Sequence, residues 1–266
     1  FIAEGAHWHW QRRAAAPAFS VRTVQALAPV MTAAAERAAG RMAAKHGQVA
    51  NLLDEMVATT FEVISDVTFS GGEAFDRAAV HGAINAYIAS TARLSLLDIA
   101  GAPAWVPRPG RLVSGPAMRS MKRMADQAIA ERRARGHAGV PDLLDLLLDG
   151  EDPETRRRMT TAELRDNLLT FIVAGHETTA LTLAWALYLC AFDQGVQDRA
   201  RAEAQGVLGA RAATAADLPA LAYTRQVIDE ALRLYPPAAF LSRTARAPDT
   251  LCGREVRPGD TVMLPV

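Results

Sequence analysis

A short polar stretch, Ala174-Gly175-His176-Glu177-Thr178-Thr179, interrupts an apolar run that covers residues 161–192. Thr160 and Glu163 form a capping box before this run, which is about thirty residues long, or roughly 45 Å of α-helix. A carboxylate such as Glu177 inside an apolar helix needs a compensating partner or water, because burying an unpaired charge is costly. The stretch is therefore either a functional site or a structural element whose polar groups are satisfied by neighbours.

A membrane span and a zinc site are two possible functions of this helix, and the sequence argues against both. Leu168 to Phe192 approaches the length of a transmembrane span, but a charge at the centre of such a span costs about 2.5–3.5 kcal/mol on insertion scales. The His176-Glu177 pair opens the zinc pattern of metalloproteases, which needs a second histidine where this chain has Ala180. A buried structural helix and a functional site stay equal alternatives on this stretch alone.

Two further pairs place complementary groups on one helix face. Trp8 and Arg12 are four residues apart, and an indole N–H beside a guanidinium is a suitable receptor for a carboxylate. Glu230 and Arg233 are three residues apart, so an acid and a base share a face. An aromatic-basic helix surface and an ordinary surface ion pair are the plainer interpretations of these two pairs.

Helical periodicity extends from residue 6 to about residue 235, with breaks where glycine and proline cluster. The predicted helices cover residues 6–16, 22–46, 49–69, 75–98, 115–136, 161–192, 195–208 and 221–235. Asp98 to Pro116 is predicted to be an apolar loop, either a mobile lid or a plain surface connection. After Pro236 the pattern changes to short strands with a turn. We therefore expect a mainly α fold with a long central helix and a small β region.

The composition favours helices, and the net charge of the chain is zero. Hydrophobic residues make up 50% and aromatic residues 6% of the chain, a balance typical of helices with closely packed small side chains. Twenty-nine basic and 29 acidic residues cancel, so we expect no nucleic-acid partner, and membrane contact is not indicated. Cys190 and Cys252 lack the spacing of a disulfide framework or zinc site, so a cytoplasmic location is the default expectation.

Four motifs, taken in order, resemble those of the cytochrome P-450 family. The stretch from Trp8 to Arg12 is similar to the family's Trp-x-x-x-Arg helix, and residues 174–178 are similar to its oxygen-activation motif. Glu230 and Arg233 fit its Glu-x-x-Arg helix. Arg243 is the fourth match, and it is followed in the family's order by Asp249, Gly253, Pro258 and Gly259. The resemblance covers essentially the whole chain. It implies a partial cytochrome P-450 domain over residues 1–266, truncated at both ends.

The resemblance implies haem b as the cofactor. Burying its two propionates requires cations and hydrogen-bond donors, and the family pattern assigns Trp8, Arg12 and Arg243 to that task. Ala174 and Gly175 are expected to lie against the cofactor. Gly175 is expected to let dioxygen approach the backbone closely, at a local bulge in the helix.

The same resemblance implies roles for the remaining motif residues. Thr178 can donate and accept a hydrogen bond while Glu177 exchanges protons with water, so both are assigned to proton delivery. His176 is expected to be a satisfied histidine and not an iron ligand. Glu230 and Arg233 are expected to form a structural ion pair with a third residue farther along the chain.

The substrate and the electron donor are implied only in outline. The residues expected to border a pocket for a small apolar substrate are Ala238, Ala239, Phe240 and Leu241, although core packing explains Phe240 nearly as well. Arg12 and Arg13 lie on the helix that meets electron donors in the family, so a ferredoxin, a flavodoxin or a flavin reductase is an expected redox partner.

The family's iron ligand is a cysteine with Phe seven and Gly four residues before it, and its thiolate favours O–O cleavage. Neither Cys190 nor Cys252 has these neighbours. The ligand is therefore expected beyond Val266, and no metal ligand is expected within this chain. The resemblance thus predicts a monooxygenase that uses O2, with the fragment itself inactive. The alternative is a non-catalytic helical binding protein that retains the scaffold without haem.

Overall fold

A computed structural model of the protein describes residues 5–69, 80, 82–83, 109–136 and 140–266. The predicted helix at 75–98 and residues 98–108 of the predicted loop lie outside this part of the chain, apart from three isolated positions. The described residues group into two compact units. One comprises Phe1–Gln48 and Ala58–Glu177, and the other comprises Val49–Val57 and Thr178–Val266. A single domain over residues 1–266 stays a prediction.

Helices account for most of the described chain, as predicted. The α-helices are α1 (Gly5–Ala15), α2 (Val21–Ala44), α3 (Leu52–Phe69), α4 (Pro109–Arg135), α5 (Leu143–Asp149), α6 (Thr161–Ala191), α7 (Gln194–Leu208) and α8 (Ala222–Leu234). Short 3-10 helices cover Ala16–Phe19 and Ala215–Ala220. No helix of the described segments, α6 included, combines the length and the apolar character needed to cross a membrane.

Helix α4 begins at Pro109, six residues before the predicted start, so the expected loop is wrong over residues 109–116. Proline is tolerated in the first turn of a helix, because the N–H that it lacks has no partner there. Pro116 lies farther inside the helix and is exposed. Pro109 and Pro116 are therefore both accommodated within α4.

The small β region is confirmed as two antiparallel pairs. Strand β1 (Phe240–Thr244) pairs with β4 (Thr261–Pro265), and β2 (Asp249–Leu251) pairs with β3 (Arg254–Val256). Cys252 and Gly253 join β2 to β3, both with positive φ (51° and 75°). A two-residue hairpin of this twist requires positive φ at both positions, which glycine adopts at little cost.

In the first unit, helix α6 buries one stripe of its surface in the core. Leu164, Leu168, Ile172 and His176 recur every four residues and are almost completely buried. Further core residues come from α1, α4 and α5, among them Trp10, Ala14, Met121, Ile129, Leu144 and Leu147, and helices α2 and α3 add Leu27 and Phe61. The α6 sequence is apolar nearly all round, so contacts with neighbouring helices decide which stripe is buried.

The segment after α5 approaches α1 so closely that only glycine fits at position 150. A Cβ added to Gly150 would lie 2.8 Å from the backbone oxygen of Ala14, and 3.2 Å from the oxygens of Leu146 and Leu147. Real Cβ atoms do not approach backbone this closely, so a side chain would displace α1 from the segment.

We expect Gly150→Ala to lower the free energy of unfolding by about 1–3 kcal/mol through this overpacking. The matched control is Gly40→Ala, an exposed position within α2 where an added Cβ meets nothing within 4 Å. That change should raise stability by about 0.5–1 kcal/mol, because alanine favours the helix. Urea unfolding followed by circular dichroism measures both, and equal effects of the two substitutions would contradict the close approach.

Candidate functional site

A cavity of about 490 Å³ lies between α1 with its following 3-10 turn and the first half of α6. Its lining residues are Trp8, Gln11, Arg12, Ala15, Ala16, Phe19, Asn167, Thr170 and Phe171. Phe19 and Phe171 meet edge to face, with their ring centroids 4.9 Å apart. The cavity thus combines an aromatic and small-residue wall with a few polar groups, a composition typical of ligand sites.

The structure brings Trp8 and Arg12 together at this cavity, as their spacing predicts. The guanidinium carbon of Arg12 lies 5.3 Å from the centroid of the Trp8 ring, which is a cation–π contact. Both side chains are exposed, and no carboxylate among the described residues pairs with Arg12. An exposed guanidinium beside an indole N–H is well suited to receive a carboxylate from a ligand.

The next residue, Arg13, is bound within the protein. Its Nε and Nη2 donate to the two carboxylate oxygens of Asp152 at 2.7 and 3.0 Å, and Nη2 lies 3.1 Å from Glu154. Asp152 is completely buried, and the hydrogen bond from Arg13 holds the pKa of that carboxyl well below its usual range. The charge of Arg13 is thus compensated by two carboxylates, and the docking of a redox partner on this helix stays a prediction.

The polar stretch of α6 lies within an uninterrupted α-helix, so the expected local bulge at Gly175 is wrong. The Thr60 hydroxyl donates to the carbonyl oxygen of His176 at 2.8 Å, which adds a partner at this point without opening the helix. His176 is buried, as expected. Its Nδ1 lies 3.0 Å from the Ile172 carbonyl oxygen and its ring meets the edge of Phe61.

Gly175 faces another helix. A Cβ added there would lie 3.3 Å from the Cδ1 atom of Ile64 on α3, so the glycine accommodates the packing of α3 against α6. Its expected role in dioxygen approach is not supported by this contact.

Ala174 and Thr178 are exposed on a different side of α6, and Glu177 is half-buried. The spacing from Asn167 to Phe171, Ala174 and Thr178 is four, three and four residues, so these side chains form one stripe. We call it the α6 stripe; it extends about 16 Å along the helix axis. The stripe connects the wall of the cavity with the polar stretch.

Within the second unit, Glu230 and Arg233 form the predicted ion pair, with Oε–Nη and Oε–Nε distances of 2.6 and 2.7 Å. Both side chains are more than half exposed, so the pair by itself contributes little stability. Tyr235, which follows α8, stacks on Trp185 of α6 with ring centroids 4.0 Å apart.

The other predicted site residues of this unit lie on or just before β1. Arg243 is exposed in this strand, opposite Val262 of β4, and its Nη1 donates to the Ser242 carbonyl oxygen at 2.8 Å. The predicted substrate-pocket residues are also exposed, namely Ala238, Ala239, Phe240 and Leu241. Their roles stay predictions.

The two cysteines lie in different settings. Burial, with a smaller effect from Asp193, raises the pKa of the Cys190 thiol and so favours its protonated form. Cys252 is exposed in the β2–β3 turn.

The chain belongs to the cytochrome P-450 family, whose family model matches residues 1–266. A relative, cyclooctat-9-en-7-ol 5-monooxygenase of Streptomyces melanosporofaciens, is 33% identical over 98% of this chain and 56% of that protein. Cyclooctatin synthase of the same organism is 32% identical, over 96% of this chain and 55% of that protein. The crystal structure of the cytochrome P450DA haem domain matches with a TM-score of 0.84 at 28% identity, over 97% of this chain and 56% of that one. The chain spans about half the length of these relatives.

We expect Asp152→Asn to destabilise the protein at neutral pH and to do so less as the pH falls. The folded-state pKa of Asp152 is lowered, so its ion pair stabilises the fold above the unfolded pKa of about 3.9 and is lost as the pH falls towards the lowered value. Chemical unfolding of both proteins between pH 7 and pH 3 measures the difference. Glu154→Gln, which removes the exposed partner of Arg13, is the control and should change stability much less. A difference for Asp152→Asn that is independent of pH would contradict the assignment.

Proposed function

We propose that the protein to which this chain belongs is a haem-dependent monooxygenase. It inserts one atom of O2 into a small apolar substrate with electrons from a redox partner. The cavity beside α6 supports this proposal most directly, because it bears a guanidinium that no carboxylate among the described residues pairs with. The relatives' names add support, since one is a monooxygenase and one matched structure is a haem domain. No observation favours the non-catalytic alternative.

The residues of the cavity fit the chemistry of haem. Its propionates need cations and donors, and the Arg12 guanidinium and Trp8 indole lie at the cavity without a carboxylate among the described residues. The short side chain of Ala174 leaves the α6 stripe open to a flat apolar group. We assign Trp8, Arg12 and Arg243 to the propionates, and Ala174 to the face of the ring. When bound, haem supplies the redox chemistry that activates oxygen.

The protein's own contribution is to deliver protons on the stripe. The Thr178 hydroxyl can pass a proton because it donates and accepts, and the half-buried Glu177 can exchange protons with solvent. The Thr182 hydroxyl donates to the Thr178 carbonyl oxygen at 2.9 Å. The two side chains assigned to proton delivery project from consecutive positions of α6.

Other parts of the proposal concern the longer protein. The thiolate ligand is assigned to a cysteine outside residues 1–266, because neither Cys190 nor Cys252 has the required neighbours. Residues 238–241 are assigned to the border of the substrate pocket. A ferredoxin, a flavodoxin or a flavin reductase is the proposed electron donor, and the cytoplasm is the proposed location.

The full-length protein tests the proposal directly. After reduction and exposure to carbon monoxide, its difference spectrum should show the Soret band of a thiolate-ligated haem. A protein purified without haem, from cells supplied with ample haem, would contradict the proposed function.

We expect Arg12→Ala to weaken haem affinity about 10- to 100-fold, since a hydrogen bond to a charged group contributes about 1.5–3 kcal/mol. Titration of the full-length apoprotein with haem measures the dissociation constant. Arg22→Ala serves as the control, because Arg22 is exposed on α2 and does not line the cavity. If the two substitutions have the same effect, Arg12 does not hold a propionate.

We expect Thr178→Ala to retain haem but to divert reducing equivalents into hydrogen peroxide, because the hydroxyl that delivers protons is lost. The measurement is the amount of hydrogen peroxide and the amount of oxidised product formed for each electron pair consumed. We expect the product yield to fall several-fold. Thr179→Ala is the matched control, since the next residue on an α-helix points about 100° away. Unchanged coupling in the Thr178 variant would remove its catalytic role.

A further inference from the structure

A direct hydrogen bond joins α1 to α6 at the wall of the cavity. Asn167 Nδ2 donates to Gln11 Oε1 at 2.7 Å, and both side chains line the cavity. Gln11 is only 8% exposed, which is unusual for a glutamine and requires that its polar atoms be satisfied within the protein. Gln11 occupies an unspecified position of the Trp-x-x-x-Arg motif, and Asn167 lies outside the four motifs.

Each of the two amides is also bound to its own helix. Gln11 Nε2 donates to the His7 carbonyl oxygen at 3.1 Å, so its Oε1 is the atom directed towards α6. Asn167 Nδ2 also donates to the Glu163 carbonyl oxygen at 2.8 Å and lies 3.7 Å from Met159 Sδ. The cross-helix bond therefore links two backbones through side chains that have little freedom to rotate.

A second contact holds α1 from another direction. Successive residues of an α-helix point about 100° apart, so Gln11 and Arg13 project about 160° from each other around α1, with Arg12 between them. Gln11 is bound to Asn167, and Arg13 is bound to the buried Asp152. Two contacts on nearly opposite sides fix the rotation of the helix about its own axis.

Arg12 depends on that rotation, because it has no ion-pair partner of its own among the described residues. Its guanidinium makes a cation–π contact with the Trp8 ring, and such a contact contributes little at an exposed site. A long flexible side chain loses entropy when a ligand orders it. The direction set by the backbone therefore determines how readily the guanidinium meets a carboxylate at the cavity.

We propose that Asn167 and Gln11 are positioning residues, whose hydrogen bond sets the rotation of α1 so that Arg12 faces a haem carboxylate. This inference rests on the proposed function and adds to it two residues that act through Arg12. It predicts that the pair affects haem affinity only while Arg12 is present.

The experiment measures the haem dissociation constant of the full-length apoprotein by titration, together with the melting temperature of each variant. We expect Asn167→Ala and Gln11→Ala each to weaken haem binding about three- to tenfold, and the double variant to weaken it no further, because one bond is lost in all three. In the Arg12→Ala background, Asn167→Ala should leave haem affinity unchanged while still lowering the melting temperature.

Gln127→Ala is the matched control. The Gln127 amide donates to Glu131 Oε1 at 2.9 Å on the exposed side of α4, outside the lining of the cavity, so its loss should not alter haem affinity. Wild-type haem affinity in Asn167→Ala would overturn the inference. So would an equal loss of affinity with and without Arg12, since that result indicates a general structural role. A wild-type full-length protein that binds no haem overturns the proposed function itself, which distinguishes the two failures.

Discussion

The attachment of α1 to the rest of its unit is the constraint on which the candidate site depends. Asp152, completely buried, binds Arg13 through both carboxylate oxygens, and Gly150 lets the same segment touch the backbone at Ala14. A buried carboxylate without this partner would carry a large desolvation cost, so the pair must form wherever the segment packs. Packing therefore fixes the location of α1, and with it the cavity wall that bears Trp8 and Arg12.

Helix α6 has sides with different surroundings: one packs in the core, one contacts α3 and one is exposed. Leu168, Ile172 and His176 face the core, Gly175 accepts Ile64 of α3, and Ala174 and Thr178 stay exposed. This division explains the polar stretch without any break in the helix. The buried histidine is satisfied by the Ile172 carbonyl, and Thr178 is exposed.

Sequence periodicity was sufficient to predict helices such as α6, which repeat their pattern over many turns, and the four motifs predicted the family. It missed α5, whose two turns are too short for a period to be recognised, although Asp142 and Asp145 form a capping box there. It also missed Asn167 and Asp152. Their partners Gln11 and Arg13 are 156 and 139 residues distant in the chain, and no local pattern reports such contacts. The expected bulge failed because it was carried over from the family and not from these residues.

The contrast between Arg12 and Arg13 shows how one helix serves both stability and binding. Were Asp152 unpaired, its charge would attract Arg12 and repel any carboxylate that approached the cavity, and this field would be weakly screened at a buried position. The Arg13 guanidinium compensates Asp152 locally and lowers the pKa of its carboxyl, so the Asp152 charge persists without opposing an anionic ligand. Among the described residues, Arg12 then has no carboxylate partner beside the cavity. The ion pair that holds the helix in place thus also leaves the neighbouring arginine free of Asp152, as the proposed role of Arg12 requires.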